Sequence, residues 1–288
     1  MSGKAEITDE NAAGHASPHL DEKERDQASA HSSPQALVIH EIIREEGETA
    51  LGRKPLALLW SALAAGLSMG FSFLTQAVLK NKSSLGPESA SLIAPAGYCV
   101  GFIIVVLGRQ QLFTESTLTV VLPVLTRRDV RTAAAALRLW VIVLAANLAG
   151  TWIFAAILAA PASFTQTLAP VLDELAQASL GTSFASTALK AVLAGWLIAL
   201  MVWLLPNARS AAVLIVGVLT YVVAVCELSH VIAGSVEAAF TVLRGNATLQ
   251  DYLLRFFLPT LLGNVIGGIA LVGLLNHASI APEMTGGH

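Results

Sequence analysis

Two apolar stretches of this chain, residues 92–125 and 211–243, are each too long for one membrane helix, and each is interrupted by polar residues. As continuous helices at roughly 1.5 Å per residue they would reach about 50 Å, against roughly 30 Å of hydrocarbon in a bilayer. Each must break, bend or re-enter. The first is interrupted at Gly108-Arg109-Gln110-Gln111-Leu112-Phe113-Thr114-Glu115 and the second at Cys226-Glu227-Leu228-Ser229-His230. Non-helical backbone at membrane depth is tolerated only where protein buries it or water lines it, and paired interruptions in corresponding halves point to a transporter's binding site. The two breaks together predict a permeation pathway.

The rest of the chain is consistent with that environment. Of its 288 residues 55% are hydrophobic and 13% charged, where a soluble domain carries about 25% charged residues. The pattern predicts an all-α membrane protein with spans at 56–79, 92–125 (broken), 139–160, 187–205, 211–243 (broken) and 257–276. No short apolar core with a small-residue cleavage site precedes the first span, which is expected to serve as the insertion signal. Cys99 and Cys226 fall within apolar stretches, where a thiol behaves as a small hydrophobe, and no disulfide is expected.

Residues 1–50 carry eleven acidic and four basic side chains, whereas the remainder carries thirteen basic and nine acidic. Residues 1–35 read as a disordered acidic cytoplasmic tail and 36–55 as an amphipathic surface helix. The six-span channel domain takes 56–276 and a short cytoplasmic tail 277–288. His15, His19, His31 and His40 have no metal-ligand spacing and receive no site. Arg127, Arg128, Arg131 and Arg138 in one short connection and Arg209 in another, with no Lys or Arg in 161–186, place both termini in the cytoplasm. Lys80 and Lys82 are the contrary signal.

An internal repeat is visible. Ala146-Asn147-Leu148-Ala149-Gly150 and Gly263-Asn264-Val265-Ile266-Gly267 recur at the same stage of each half, as do Ala64-Ala65-Gly66 and Leu193-Ala194-Gly195. Three spans per half put the copies in opposite directions, a 3+3 inverted repeat. The small residues serve close helix packing.

Thr114-Glu115-Ser116 resembles a helix start, with a Thr to cap free amides and an acid in the first turn; such a start faces the break with a field that favours anions. His230 is the one histidine deep within a span. Its imidazole can donate and accept a proton near neutral pH, and so can share one with a carboxylate too costly to desolvate; the plainer alternative is a hydrogen-bonded packing residue. Arg109 either draws anions to a vestibule or snorkels to the interface. Glu227 is assigned a structural role at its break, with a salt bridge to Arg109 as one option. Asn147 and Asn264 are expected to bind backbone freed by the breaks. Trp60, Trp140 and Trp152 need only interfacial anchoring.

On these residues the chain resembles the formate/nitrite transporter family. Leu112-Phe113-Thr114 matches its L-F-T, His230-Val231-Ile232-Ala233 its H-S-[IV]-A, Asn147 to Gly150 its N-L-[VA]-G, and Gly263 to Gly268 its G-N-[IV]-[IV]-G-G. Over 36–70, 109–114 and 230–237 the likeness is to the YfdC-type inner-membrane branch. The resemblance implies an aquaporin-like protomer with its own pore, assembled as a pentamer in the bacterial inner membrane and passing small monovalent anions such as formate or nitrite. It further implies His230 as the central pore histidine, Thr114 as its facing hydroxyl, Phe102 and Phe113 in a cytoplasmic constriction, and Tyr98, Val202 and Val223 in an outer one. Apolar slits of that kind select by width, dewetting and electrostatics. Three departures alter the pore: Arg109-Gln110-Gln111 replaces a small pair and an acid, Ser229 stands where many members have Glu, and Ala199 replaces an Asn.

The leading expectation is therefore a channel or proton-linked transporter for a small monovalent anion in the lipid bilayer, with His230 as proton relay and no cofactor, metal or nucleic acid involved. The rival is a facilitator of neutral solutes or undissociated weak acids, in which Arg109 excludes ions and His230 packs. An intramembrane enzyme using Glu227, Ser229 and His230 lacks a second catalytic cluster.

Overall fold

The computed structural model describes residues 21, 23, 36–83, 86–161, 163–180, 183–276 and 278–279. The tails expected over 1–35 and 277–288 thus lie outside the described residues, apart from 21, 23, 278 and 279. No β-strand occurs among the described residues.

Five helices are long and apolar enough to cross a membrane, at Pro55–Lys82, Glu88–Leu107, Val130–Ala159, Phe184–Asn207 and Leu249–Ala270, and Ala212–Val225 and Ala233–Leu243 are shorter apolar helices. In chain order the elements are α1 (Ala36–Leu51), α2 (Pro55–Lys82), α3 (Pro87–Leu107), α4 (Phe113–Thr119), α5 (Val121–Arg127), α6 (Val130–Ala159), α7 (Ser163–Ser179), α8 (Phe184–Leu204), α9 (Ala212–Val225) and α10 (Ala233–Leu243). The last, α11 (Leu249–Ala270), contains a wide π-type turn at Tyr252–Phe257 and passes into another at Gly267–Leu274. The first π turn lies just before Pro259, whose ring removes a donor and crowds the carbonyl four residues earlier, so widening the helix there relieves the clash.

Local chemistry sets the ends. Asp129 caps α6 by accepting from Thr132 N at 2.9 Å, Ser183 caps α8, and Thr248 and Asp251 form a reciprocal capping box at the start of α11. Pro55 opens α2, where a missing N–H costs nothing.

α1 buries Ile39, Ile43 and Gly47, a spacing of one helical face. Arg44 bridges Glu41 and Glu48 one turn to either side on its solvent face, and that contact holds the Glu41 carboxyl below the usual carboxylate range. At 28 residues α2 is roughly 42 Å long. α1 sits at its beginning, and near its end Lys80 pairs with Glu174 of α7 at 2.9 Å, so α1 and α7 mark opposite ends of the bundle. The connection 161–186 is no bare loop: α7 buries Leu168, Leu172 and Ala176 at four-residue spacing. Its polar face kept it from registering as an apolar run.

Close backbone contacts unite the bundle. A Cβ added at Gly66 would collide with the Asn147 carbonyl oxygen, and one at Gly195 with that of Asn264. α2 therefore meets α6 as α8 meets α11, at distances only glycine allows.

Candidate functional site

Each break is built from the same parts. At the end of α3, Gly108 N donates to Ile104 O, Arg109 N to Val106 O and Gln110 N to Val105 O; at the end of α9, Cys226 N donates to Val222 O, Glu227 N to Ala224 O and Leu228 N to Val223 O. Arg109 and Glu227 are both left-handed, which turns the chain back toward the middle of the bundle. There an Asn from another helix closes the break. Asn147 accepts from Phe113 N at 2.9 Å and donates to Ala62 O and Gln111 O at 2.7 and 2.9 Å. Asn264 accepts from Val231 N at 2.8 Å and donates to Ala191 O and Ser229 O at 2.8 and 2.9 Å. Both amides are fully buried, and each satisfies backbone groups that the interrupted helices leave unpaired.

The two breaks meet through side chains. Thr114 Oγ1 lies 2.8 Å from His230 Nε2, with both residues buried. Ala233 N donates to His230 Nδ1 at 3.1 Å, so Nδ1 carries the lone pair and the neutral ring carries its hydrogen on Nε2. Nε2–H then donates to Thr114 Oγ1. The Thr114 hydroxyl hydrogen is left to donate elsewhere, which gives the junction one outward-acting donor. A doubly protonated ring would set Nδ1–H against Ala233 N–H, and so would have to turn.

Thr114 is not a helix cap, contrary to the sequence expectation. α4 begins at Phe113, Leu112 precedes it without a side-chain cap, and Asn147 takes the amide instead. The Thr hydroxyl is thereby released for His230.

Among the other residues singled out, Phe102 meets His230 edge-on with centroids 5.0 Å apart, and Tyr98 packs on Phe102 at 5.2 Å. Phe113 contacts Trp140 at 6.0 Å. Tyr98, Phe102, Phe113 and Val223 share one buried cluster with the residues around the breaks. Val202 does not join them; it packs with Ala199, Leu118, Leu122, Ile39 and Ile43 beneath α1. Arg109 and Glu227 are not partners, because their breaks open to opposite ends of the bundle: Arg109 pairs with Glu46 of α1 at 3.0 Å and Glu227 with Lys190 at 3.5 Å. Cys226, expected within a span, is exposed at the second turn, while buried Cys99 donates to Gly217 O. Trp140 and Trp152 do more than anchor: Trp140 Nε1 donates to Ser116 O and Trp152 packs on Tyr252. His40 is buried against Trp203.

Sequence reasoning passed over two residues, Gln76 and Glu237. Gln76 is buried, and its side chain meets that of Glu237. An acid amid the apolar residues of 231–243 was the available signal.

Charge concentrates at the α1 end, where Arg127 pairs with Glu48 at 3.1 Å and Arg138 donates to Leu51 O at 3.3 Å.

Comparison with known proteins agrees with this architecture. Residues 37–278 match the family described as formate/nitrite transporter. Over 250 residues the chain is 38% identical to the inner membrane protein YfdC of Escherichia coli (strain K12), covering 87% of this chain and 80% of that protein. It is 26% identical over 242 residues to the formate channel BtFdhC of Bacillus thuringiensis, covering 82% of this chain and 91% of that one. In fold it is similar to a pentameric formate channel with formate bound, at a TM-score of 0.66 and 20% identity over 79% of this chain and 98% of that one. An FNT family ion channel aligns at a TM-score of 0.68 and 19% identity, over 85% and 96% of the two chains. With the family match spanning nearly all the described residues and both breaks, this chain belongs to the formate/nitrite transporter family.

Proposed function

We propose that the protein is a membrane channel or transporter for small monovalent anions of weak acids, formate and nitrite being the type, and that solute passes the Thr114–His230 junction. The observation that carries this reading is the 2.8 Å contact between Thr114 Oγ1 and His230 Nε2: it joins two membrane breaks and leaves one hydroxyl donor, together with a titratable ring, inside an otherwise apolar cluster. A small carboxylate entering there loses its hydration and gains that donor. His230 acts as proton relay, and Phe102 and Tyr98 narrow the path beside it.

The recurring bond pattern of the breaks supports a 3+3 inverted repeat of six spans, with α9 and α10 together forming the fifth. The relatives support a pentamer, each protomer with its own pore, in a bacterial inner membrane. The Arg-rich connection 126–138 supports cytoplasmic termini. By the same reading the protein is not an enzyme.

The neutral-solute reading has one observation in its favour: the Ala233 N–H on His230 Nδ1 holds the ring in its neutral tautomer. Uptake of formate, nitrite, acetate and hydrosulfide into proteoliposomes across pH 5 to 8, for the native chain and His230→Ala, separates the two. Anion flux that depends on pH and vanishes with His230 supports the relay. Flux confined to uncharged solutes supports the facilitator, and unchanged flux in His230→Ala removes the relay.

A further inference from the structure

α2 and α6 run side by side in the same direction. A Cβ added at Gly66 of α2 would meet the Asn147 carbonyl of α6, and one at Gly70, a turn further on, would meet the Phe154 ring. Residue 66 thus stands level with residue 147, and counting back along both helices brings Arg138 level with the first turn of α2. Arg138 donates to Leu51 O at 3.3 Å. Its guanidinium therefore reaches across the head of the α2–α6 seam to the corner between α1 and α2, where Arg53 and Lys54 follow. Arg131 lies two turns from Arg138 on the same side of α6, about 10 Å further toward the α1 end.

These cations differ from others at that end. Arg109 and Arg127 pair with acids of α1, whereas Arg53, Lys54, Arg131 and Arg138 meet no acid among the described residues. Arg138 uses one of its five donors on Leu51 O. Orientation in the membrane accounts for basic residues in a loop, but Arg138 is in the third turn of α6 and faces outward. Beneath the cations the outer side of the seam is apolar. Trp60 is 61% exposed, and Phe71, three turns along the same side of α2, is also exposed and packs on Phe154 of α6 at 5.2 Å. An exposed Trp just inside a span marks the level at which headgroups give way to hydrocarbon.

We infer that the head of the α2–α6 seam is a binding site for an anionic phospholipid, with its phosphate held by Arg53, Lys54 and Arg138, Arg131 beyond them, and an acyl chain lying along Trp60 and Phe71. The occupant has to join an anion to hydrocarbon. A guanidinium fork matches phosphate oxygens, and basic pockets between spans take lipid headgroups. A soluble anion or an acidic peptide would use the cations and leave the apolar side of the seam uncovered. Four cations also favour a lipid with two phosphates, so diphosphatidylglycerol should bind more tightly than phosphatidylglycerol and phosphatidylcholine least.

The test is lipid binding to the full chain in neutral detergent, read by native mass spectrometry and by the unfolding midpoint. Diphosphatidylglycerol, phosphatidylglycerol, phosphatidylcholine and inorganic phosphate are compared. Each basic group at a membrane surface is worth about fivefold in affinity for an anionic lipid. Arg53→Gln/Lys54→Gln, which breaks no hydrogen bond of the fold, should weaken diphosphatidylglycerol about thirtyfold, and adding Arg138→Gln should bring the loss to about a hundredfold. Lys82→Gln, an exposed cation at the other end of α2, should leave the affinity unchanged. Equal binding of phosphatidylcholine overturns the inference, as does native affinity in the double variant. Inorganic phosphate that binds as well as the lipid makes this a site for soluble anions and overturns it too. Lipid binding that emerges only when residues 1–35 are removed names the acidic tail as the occupant, with the same result.

Discussion

Arg109 and Glu227 hold the same left-handed backbone, with φ of 50° and 51°, at equivalent turns after α3 and α9, although one is a cation and the other an acid. The match belongs to the backbone and not to the side chains. Arg109 finds Glu46 at one end of the bundle, and Glu227 finds Lys190 at the other. What the two turns share is the need to reverse the chain just before each break.

That backbone has a cost for any residue with a Cβ, about 1 kcal/mol. Glu227→Gly relieves it and gives up only an exposed contact of 3.5 Å to Lys190. Its unfolding midpoint in detergent should rise. A lower midpoint would mean that the ion pair outweighs the backbone strain. Arg109→Gly should change little, because the shorter Glu46 pair it loses is worth up to about 1 kcal/mol.

Asn147 and Asn264 each hold two backbone groups of a break, Phe113 N and Gln111 O or Val231 N and Ser229 O, and tie them to a carbonyl of a neighbouring helix, Ala62 O or Ala191 O. Alanine at either position leaves the two break groups buried and unpaired, at about 1–3 kcal/mol apiece. Each variant should lose most of the folded protein, as read by size exclusion after extraction. Recovery of native yield from Asn264→Ala would show that water replaces the amide.

Thr114→Val keeps the shape of the side chain and removes the oxygen that receives His230 Nε2–H. Unfolding should come earlier by about 1–3 kcal/mol, and uptake should fall with it. A variant of full activity would separate the hydroxyl from the pathway.

Asp129 caps α6, and the Thr132 hydroxyl holds its carboxyl below the usual carboxylate range. A carboxyl depressed in the folded state stabilises above its ordinary range and ceases to do so as pH falls through the depressed value. The native protein should therefore melt above Asp129→Ala by a constant margin near neutral pH, and the margin should close in acid below about pH 4. A margin independent of pH would assign the effect to packing.

Much of this was legible in the sequence because a bilayer punishes polar residues. The two breaks, the repeated Asn and the lone histidine stand out against apolar surroundings, and the structure brings Thr114 to His230 across them. The partners were not legible. Nothing local indicates that Arg109 meets Glu46 in α1, since that contact depends on how α1 lies over the turn. Val202 sits beneath α1 and apart from Tyr98 for the same reason: its place follows from where α8 ends. Thr114 has the composition of a cap, but Asn147 reaches the free amide first. Glu237 was hidden at the end of a motif, and Gln76 looked like one polar residue in a long helix.

The closing of each break by an asparagine of its own half bears on how the protein is made. Asn147 follows the first break by some thirty residues and Asn264 follows the second by a similar interval, so each exposed backbone segment waits only for the next span to leave the ribosome. The first half can settle into lipid as a finished unit before the second has been synthesised. Contacts between the halves, among them the Thr114–His230 junction and the Cys99 bond to Gly217 O, must await the second half, and their formation joins the two into one protein.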